Sequence, residues 1–147
     1  MFDALFTTTT EYKKLSHALS GKGACALFGL PASGRAQVYA ALCRQLDKPL
    51  CIVTPGEAEA TRFAADLNTL GIPAAVFPVR DYVLRPIEGT AREYEYRRLA
   101  VLGELVGGRL RAVAVPAEAL TQFTTPKEDF CANTRTLHAG DTLLRDD

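Results

Sequence analysis

Gly29, Gly34, Arg35 and Ala36 stand where a phosphate-binding loop would do its chemistry, within the run Gly-Leu-Pro-Ala-Ser-Gly-Arg-Ala of residues 29–36. The working pattern is G-x-x-x-x-G-K-[ST], set between a buried strand and a helix. Its glycines let the backbone turn tightly and aim N–H groups at an anion. Here the glycine spacing is kept, but Arg35 replaces the lysine that reaches the outer phosphates. Ala36 replaces the hydroxyl that ligates magnesium. Arginine keeps the charge, yet its planar fork does not do the work of a compact ammonium. Alanine cannot ligate a metal. Gly29, Ser33, Gly34, Arg35 and Ala36 therefore form a candidate anion-binding set with the hydrolytic groups removed, and the run points away from an ATPase.

Two further groups could touch a polyanion. Thr54-Pro55-Gly56-Glu57 follows an apolar run, where helicase folds set a strand-to-helix loop against a nucleic-acid backbone. The simpler reading is a capping box, with Thr54 as cap, Pro55 in the first turn and Glu57 closing the box. Arg80, Arg85, Arg92, Arg97, Arg98, Arg109 and Arg111 make the densest basic stretch. Glu88, Glu93, Glu95 and Glu104 are interleaved with them, and Glu93 to Arg97 is an i,i+4 pair of the kind that solvates a helix face. Of these, Thr54, Arg80, Arg97 and Arg98 are the candidates for nucleic-acid or interdomain contact. Phosphate binding wants uncompensated positive charge, which argues against a DNA interface. His17 and His138 are the only histidines, 121 positions apart, and no serine lies in a nucleophile elbow, so no catalytic residue is assigned.

Composition narrows the classes. The 147 residues are 48% hydrophobic, enough for one globular domain with a buried core. Seventeen basic residues balance seventeen acidic ones, so no global field draws the chain to nucleic acid or membrane. Cys25, Cys43, Cys51 and Cys131 have no C-x-x-C spacing. The first three fall in apolar segments and are expected in the core, which implies no metal site and a reducing compartment. No basic-then-apolar leader opens the chain, and no run approaches the ~18 apolar residues of a membrane span. The expectation is a cytoplasmic protein.

The elements that must position these residues alternate. A helical segment with Tyr12, Leu15, Ala18 and Leu19 on one stripe ends at Gly21 and Gly23. Ala24–Phe28 reads as a strand buried on both faces and leads into the glycine loop. A helix follows over Arg35–Leu46, with Tyr39, Leu42, Cys43 and Leu46 inward. Leu50–Val53 is a second strand, and the next helix carries Ala60, Phe63, Ala64 and Leu67 up to a left-handed Gly71. Ala74–Phe77 is a third strand, and residues 79–91 form a long loop. A helix from about Arg92 to Val106 turns Leu99, Leu102 and Val106 inward beside Tyr96 or Leu105, and Gly107-Gly108 closes it. Arg111–Val115 is a fourth strand, and a short helix runs from Pro116 to about Phe123. Four strands alternating with helices predict an α/β domain with a mainly parallel sheet. From Thr124 the sequence turns polar, and it stops where Asp141 could cap another helix, as in a piece of a longer chain.

The order of the segments just described resembles the N-terminus of bacterial transcription-repair coupling factors. The glycine run, Pro49-Leu50-Cys51-Ile52-Val53-Thr54-Pro55 and Phe77-Pro78-Val79-Arg80-Asp81 carry the likeness first. Tyr96-Arg97-Arg98-Leu99-Ala100-Val101-Leu102 and Val115-Pro116-Ala117-Glu118-Ala119-Leu120 extend it, and Leu137-His138-Ala139-Gly140-Asp141-Thr142-Leu143 resembles the family's L-x-x-G-D-x-L opening of its second domain. The resemblance implies a RecA-like domain of the P-loop NTPase and helicase type over 1–123, homologous to the excision-repair subunit UvrB and with a degenerate phosphate loop. Residues 124–147 would be a linker and the start of an inserted domain that binds UvrA. The implied role is a non-catalytic scaffold for recruiting UvrA to stalled RNA polymerase, and a part in autoinhibition. ATP and magnesium would belong to the parent's C-terminal DNA-translocating motor, and no cofactor to this region. Partners would be UvrA, mostly through the domain beyond Asp147, other domains of the parent, and RNA polymerase and DNA through the parent, with no membrane. UvrB's tyrosine-rich DNA hairpin has no counterpart here, so damage verification is not implied. Two rival readings stand beside this one, an active P-loop nucleotide-binding enzyme and a DNA-binding module.

Overall fold

In the computed structural model the described residues are 6–21, 23–80 and 93–142. The elements are α1 (Thr10–Ser20), α2 (Ala32–Gln45), β1 (Leu50–Thr54), α3 (Glu57–Thr69), β2 (Ala74–Val76), α4 (Glu93–Val106), β3 (Ala112–Pro116), α5 (Ala117–Leu120) and α6 (Lys127–Ala132). Strands alternate with helices, and the sheet is wholly parallel, in the order β1-β3-β2. Leu50 faces Ala112 and Thr54 faces Pro116 across one ladder, and Ala74 faces Ala112 across the other. Parallel neighbours need crossovers of this length, and α3 and α4 supply them.

The two faces of the sheet are covered unequally. On one side Ile52, Ala112 and Ala114 pack against Ala40 and Cys43 of α2 and against Ala60, Phe63, Ala64 and Leu67 of α3. The small alanines of β3 let the helices approach the central strand closely. On the other side Val113 and Val115 meet Phe77, Val101 and Ala119, with Leu102 and Leu105 at the margin. That second layer stops short of β1, one of the two edge strands, where Val53 is 55% exposed. A third cluster joins α1 to the outer side of α2, through Tyr12, Leu15, Val38, Ala41 and Leu42. The Tyr12 hydroxyl donates to Gln45 Oε1 at 3.0 Å.

Local rules fix most of the boundaries. Thr9, inside the threonine run, caps α1 by accepting from the Tyr12 amide at 3.3 Å. Gly71 takes φ +74° and ends α3 in a Schellman motif. There the Ile72 amide reaches back to the Leu67 carbonyl and the Gly71 amide to that of Asn68. Gly108, at φ +69°, repeats the pattern after α4, with Arg109 bonded to the Glu104 carbonyl and Gly108 to that of Leu105. The Asn68 side chain then pins the first residue of β2, accepting from the Ala74 amide and donating to its carbonyl.

Four expectations are corrected. Ala24–Phe28 joins no ladder and lies exposed, Phe28 at 88%, so the sheet has three strands among the described residues. An apolar run shows that a segment suits burial, not which edge will accept it. Cys25 and Cys51 are consequently exposed, Cys25 in that run and Cys51 on the uncovered face of β1, and Cys43 alone of the expected three is buried. The capping box at Thr54 is not made. Gly56 is the N-cap of α3, and the Thr54 hydroxyl donates instead to the Gly56 carbonyl at 2.9 Å. Finally, α4 is turned partly from the expected face: Leu102 and Leu105 are inward as expected, but Arg98 and Val101 join them while Leu99, Val106 and Tyr96 lie outward. The expected loop 79–91 beyond Arg80, the Arg92 start of α4, Arg85, Glu88 and the last five residues lie outside the described residues.

Candidate functional site

The corner at residues 29–36 is helical for most of its length. Gly29 keeps a left-handed φ of +81°, the conformation a tight turn would require. Pro31 then caps α2, which starts at Ala32 rather than at Arg35. Proline before the first turn suits a helix start, since its missing N–H is not needed there. The Gly34 and Arg35 amides, which a phosphate loop would aim at its anion, both donate to the Pro31 carbonyl at 3.0 and 3.2 Å. Ala36 is 3% exposed, so the position that would hold a metal-ligating hydroxyl lies inside the packing. Ser33 is exposed on the first turn, and the Arg35 guanidinium approaches Glu59 at 3.9 Å. Half-exposed at that distance, the pair contributes little to stability.

Beside the corner lies a hollow of about 540 Å³, walled by Leu15, Leu27, Phe28, Val38, Leu42 and Leu50, with Arg35 among its lining residues. It separates the unpaired 24–28 run from α1 and α2. Among the described residues no cluster of His, Cys, Asp or Glu could hold a metal ion. No helix among them is long and apolar enough to cross a membrane.

The five arginines of the basic stretch that lie among the described residues all have partners within the domain. Arg80 pairs with Glu95 at 2.6 Å, and Arg97 with Glu93 in the i,i+4 geometry read from the sequence. Arg109 Nε donates to Glu104 Oε2 at 2.8 Å. That bond holds the Glu104 carboxyl below the usual range and raises the arginine further. Arg111 donates to the carbonyls of Cys43 and Leu46, so its guanidinium closes the C-terminus of α2, where the helix dipole favours a cation. Burial pushes the Cys43 thiol up, partly countered by the charges of Arg111 and Arg44. The Cys51 side chain reaches solvent, yet the sheet around its sulfur still desolvates it enough to raise its pKa.

Arg98 is the residue whose role sequence reasoning missed. It is 6% exposed. Its guanidinium donates to Pro78 O at 2.9 Å, Gln122 Oε1 at 3.0 Å and Thr124 Oγ1 at 3.1 Å, and it lies 4.1 Å from the centroid of Phe77. Such a charge stays buried when hydrogen bonds and an aromatic face replace its water. The signal was the stripe 98-101-102-105, which reads as amphipathic only if an arginine is allowed to begin it. Thr54 is likewise interior, at 2% exposed. Of the four candidates for nucleic-acid or interdomain contact, Arg80 and Arg97 are on the surface, while Arg98 and Thr54 are not.

No family model matches this chain, and no solved structure matches it. Over 116 residues, 78% of the chain, it is 26% identical to the transcription-repair-coupling factor of Bacillus subtilis strain 168. The chain spans about 10% of that protein's length. The likeness read from the motif order is thus met by a similarity across most of the described fold, and this chain is similar to a short region of a bacterial transcription-repair-coupling factor.

Proposed function

We propose that this chain is the RecA-like, UvrB-homologous region of a transcription-repair coupling factor, serving transcription-coupled repair as a scaffold without catalysis of its own. The observation that carries the reading is the similarity to the Bacillus subtilis coupling factor. The chemistry of the corner agrees with it. Arg35 and Ala36 replace the reactive positions, and the first turn of α2 takes up the amides of Gly34 and Arg35. In this reading the domain supports a UvrA-recruiting domain that follows Asp147, and its charged surface, Arg80 and Arg97 included, meets other domains of the parent. RNA polymerase and DNA are reached through the parent, ATP and magnesium belong to its motor, and the compartment is the cytoplasm.

The test is to lengthen the chain past Asp147 through the next domain and titrate it with UvrA. Saturable binding by the lengthened chain, absent from residues 1–147, is expected. No binding by the lengthened chain removes the recruitment role.

A further inference from the structure

The polar node around Arg98 joins two backbone segments that share no ladder. One is residues 77–80, which continue past the end of β2 at Val76. The other is residues 122–124, which follow α5 and lead towards α6. Gln122 behaves as a strand partner built from a side chain. Its Oε1 accepts from the Arg80 amide at 2.7 Å, and its Nε2 donates to the Arg80 carbonyl at 2.9 Å. The same Oε1 accepts from Arg98, which also donates to Pro78 O on the first segment and to Phe123 O and Thr124 Oγ1 on the second. The Arg80 side chain then returns to α4 at Glu95, one turn before Arg98, and closes the ring.

Each part has a physical reason to act with the others. A planar guanidinium holds several acceptors in fixed directions, which an ammonium cannot do. Gln122 is also buried, and among the described residues no buried side-chain nitrogen or oxygen lacks a partner. Pulling one segment away would leave several of these groups desolvated and unbonded together, so the node opens as a unit or not at all.

We infer that Arg98 and Gln122 form a latch that makes residues 77–80 and 122–124 one mechanical unit. A displacement of the chain beyond Thr124 is thereby transmitted to the segment that follows β2. Arg98 is a positioning residue in this device, acting on Arg80 through Gln122. Within the proposed function the chain beyond Thr124 leads to the recruiting domain, so the latch lies where that domain would pull, although the inference itself rests only on the geometry of the node.

Site-resolved hydrogen exchange on the whole chain tests it, with the Arg80 amide as reporter and the amides of Ala112 to Val115 as the measure of global stability. Thr124→Val removes one acceptor from Arg98 without touching Arg80, and Arg98→Lys removes the fork. The latch predicts faster exchange at Arg80 in both variants, roughly tenfold or more in Arg98→Lys, with β3 unchanged. Unchanged exchange at Arg80 in both variants overturns the inference. So does acceleration of β3 in step with Arg80, because Arg98 then only supports the fold. If Arg98→Lys does not fold, Thr124→Val decides by the same two readings.

Discussion

Restoring the residues of a phosphate loop at Arg35 and Ala36 should not restore nucleotide binding, and should cost stability. Ala36 is 3% exposed, so Ala36→Thr places a methyl and a hydroxyl in space already filled. Overpacking of this kind costs about 1–3 kcal/mol, and a β-branched residue in mid-helix adds about 0.5. The new hydroxyl can bond back to the carbonyl of Ala32, which offsets much of its own desolvation. Arg35→Lys changes only a half-exposed, long-range pair and contributes within a few tenths of a kcal/mol. The double variant is therefore expected to lose about 1.5–3.5 kcal/mol, a fall in Tm of about 3–14 °C for a chain of this size.

Binding faces a separate obstacle. To cradle a phosphate, the first turn of α2 must give up the two bonds that Gly34 and Arg35 make to the Pro31 carbonyl. At about 1 kcal/mol each, that lowers any affinity by about thirtyfold, even with the right side chains in place. Thermal unfolding and calorimetric titration with magnesium and ATP read both expectations, on the parent and on the double variant. Saturable micromolar binding by the variant at an unchanged Tm would refute the reasoning, since it requires a loop that opens freely and an uncrowded position 36.

Two further outcomes follow from single side chains. Cys25, Cys51 and Cys131 are exposed and Cys43 is buried, so Ellman's reagent should label three thiols in the native protein and the fourth only on unfolding. Cys51, whose thiol is pushed up by burial, should label more slowly in the native protein than in the unfolded chain, and fast labelling of Cys43 in native buffer contradicts the α2 packing. The Glu104 carboxyl, lowered by its bond from Arg109, favours the folded state above the ordinary glutamate value of 4.5 and loses that contribution as pH falls through its own lower value. Arg109→Ala should return Glu104 to the ordinary range in an NMR titration, and an unmoved Glu104 rules out the bond.

How much of this was legible depended on how local each cause is. Gly71 and Gly108 announce their helix ends because a left-handed C′ residue needs nothing beyond its own turn. The faces of α2 and α3 follow from spacing alone, as does the Glu93–Arg97 pair. Ala24–Phe28 failed for the opposite reason, since an apolar run carries no information about which sheet edge will pair with it. The Thr54 box failed because a strand end can bury its hydroxyl and bond it two residues ahead, leaving Gly56 to start the helix. At the glycine corner the residue substitutions are plain, but the helix start at Ala32 is not, because Pro31 acts as a cap where the phosphate-loop pattern places loop.

The Arg98 node shows why the basic stretch resisted a reading by charge alone. Seven arginines within 32 residues look like a surface for a polyanion when only their signs are counted. Phosphate binding draws on counterion release, which needs cations whose fields reach solvent. Arg98 is spent on carbonyls, a hydroxyl, an amide and a ring, Arg111 on the end of α2, and Arg80, Arg97 and Arg109 each face a carboxylate. The planar forks of Arg98 and Arg111 hold together backbone segments that no ladder joins. Arg98 and Arg111 are thus directed inward, where they stabilise the connections between the elements, while Arg80, Arg97 and Arg109 stay at the surface with a carboxylate beside each.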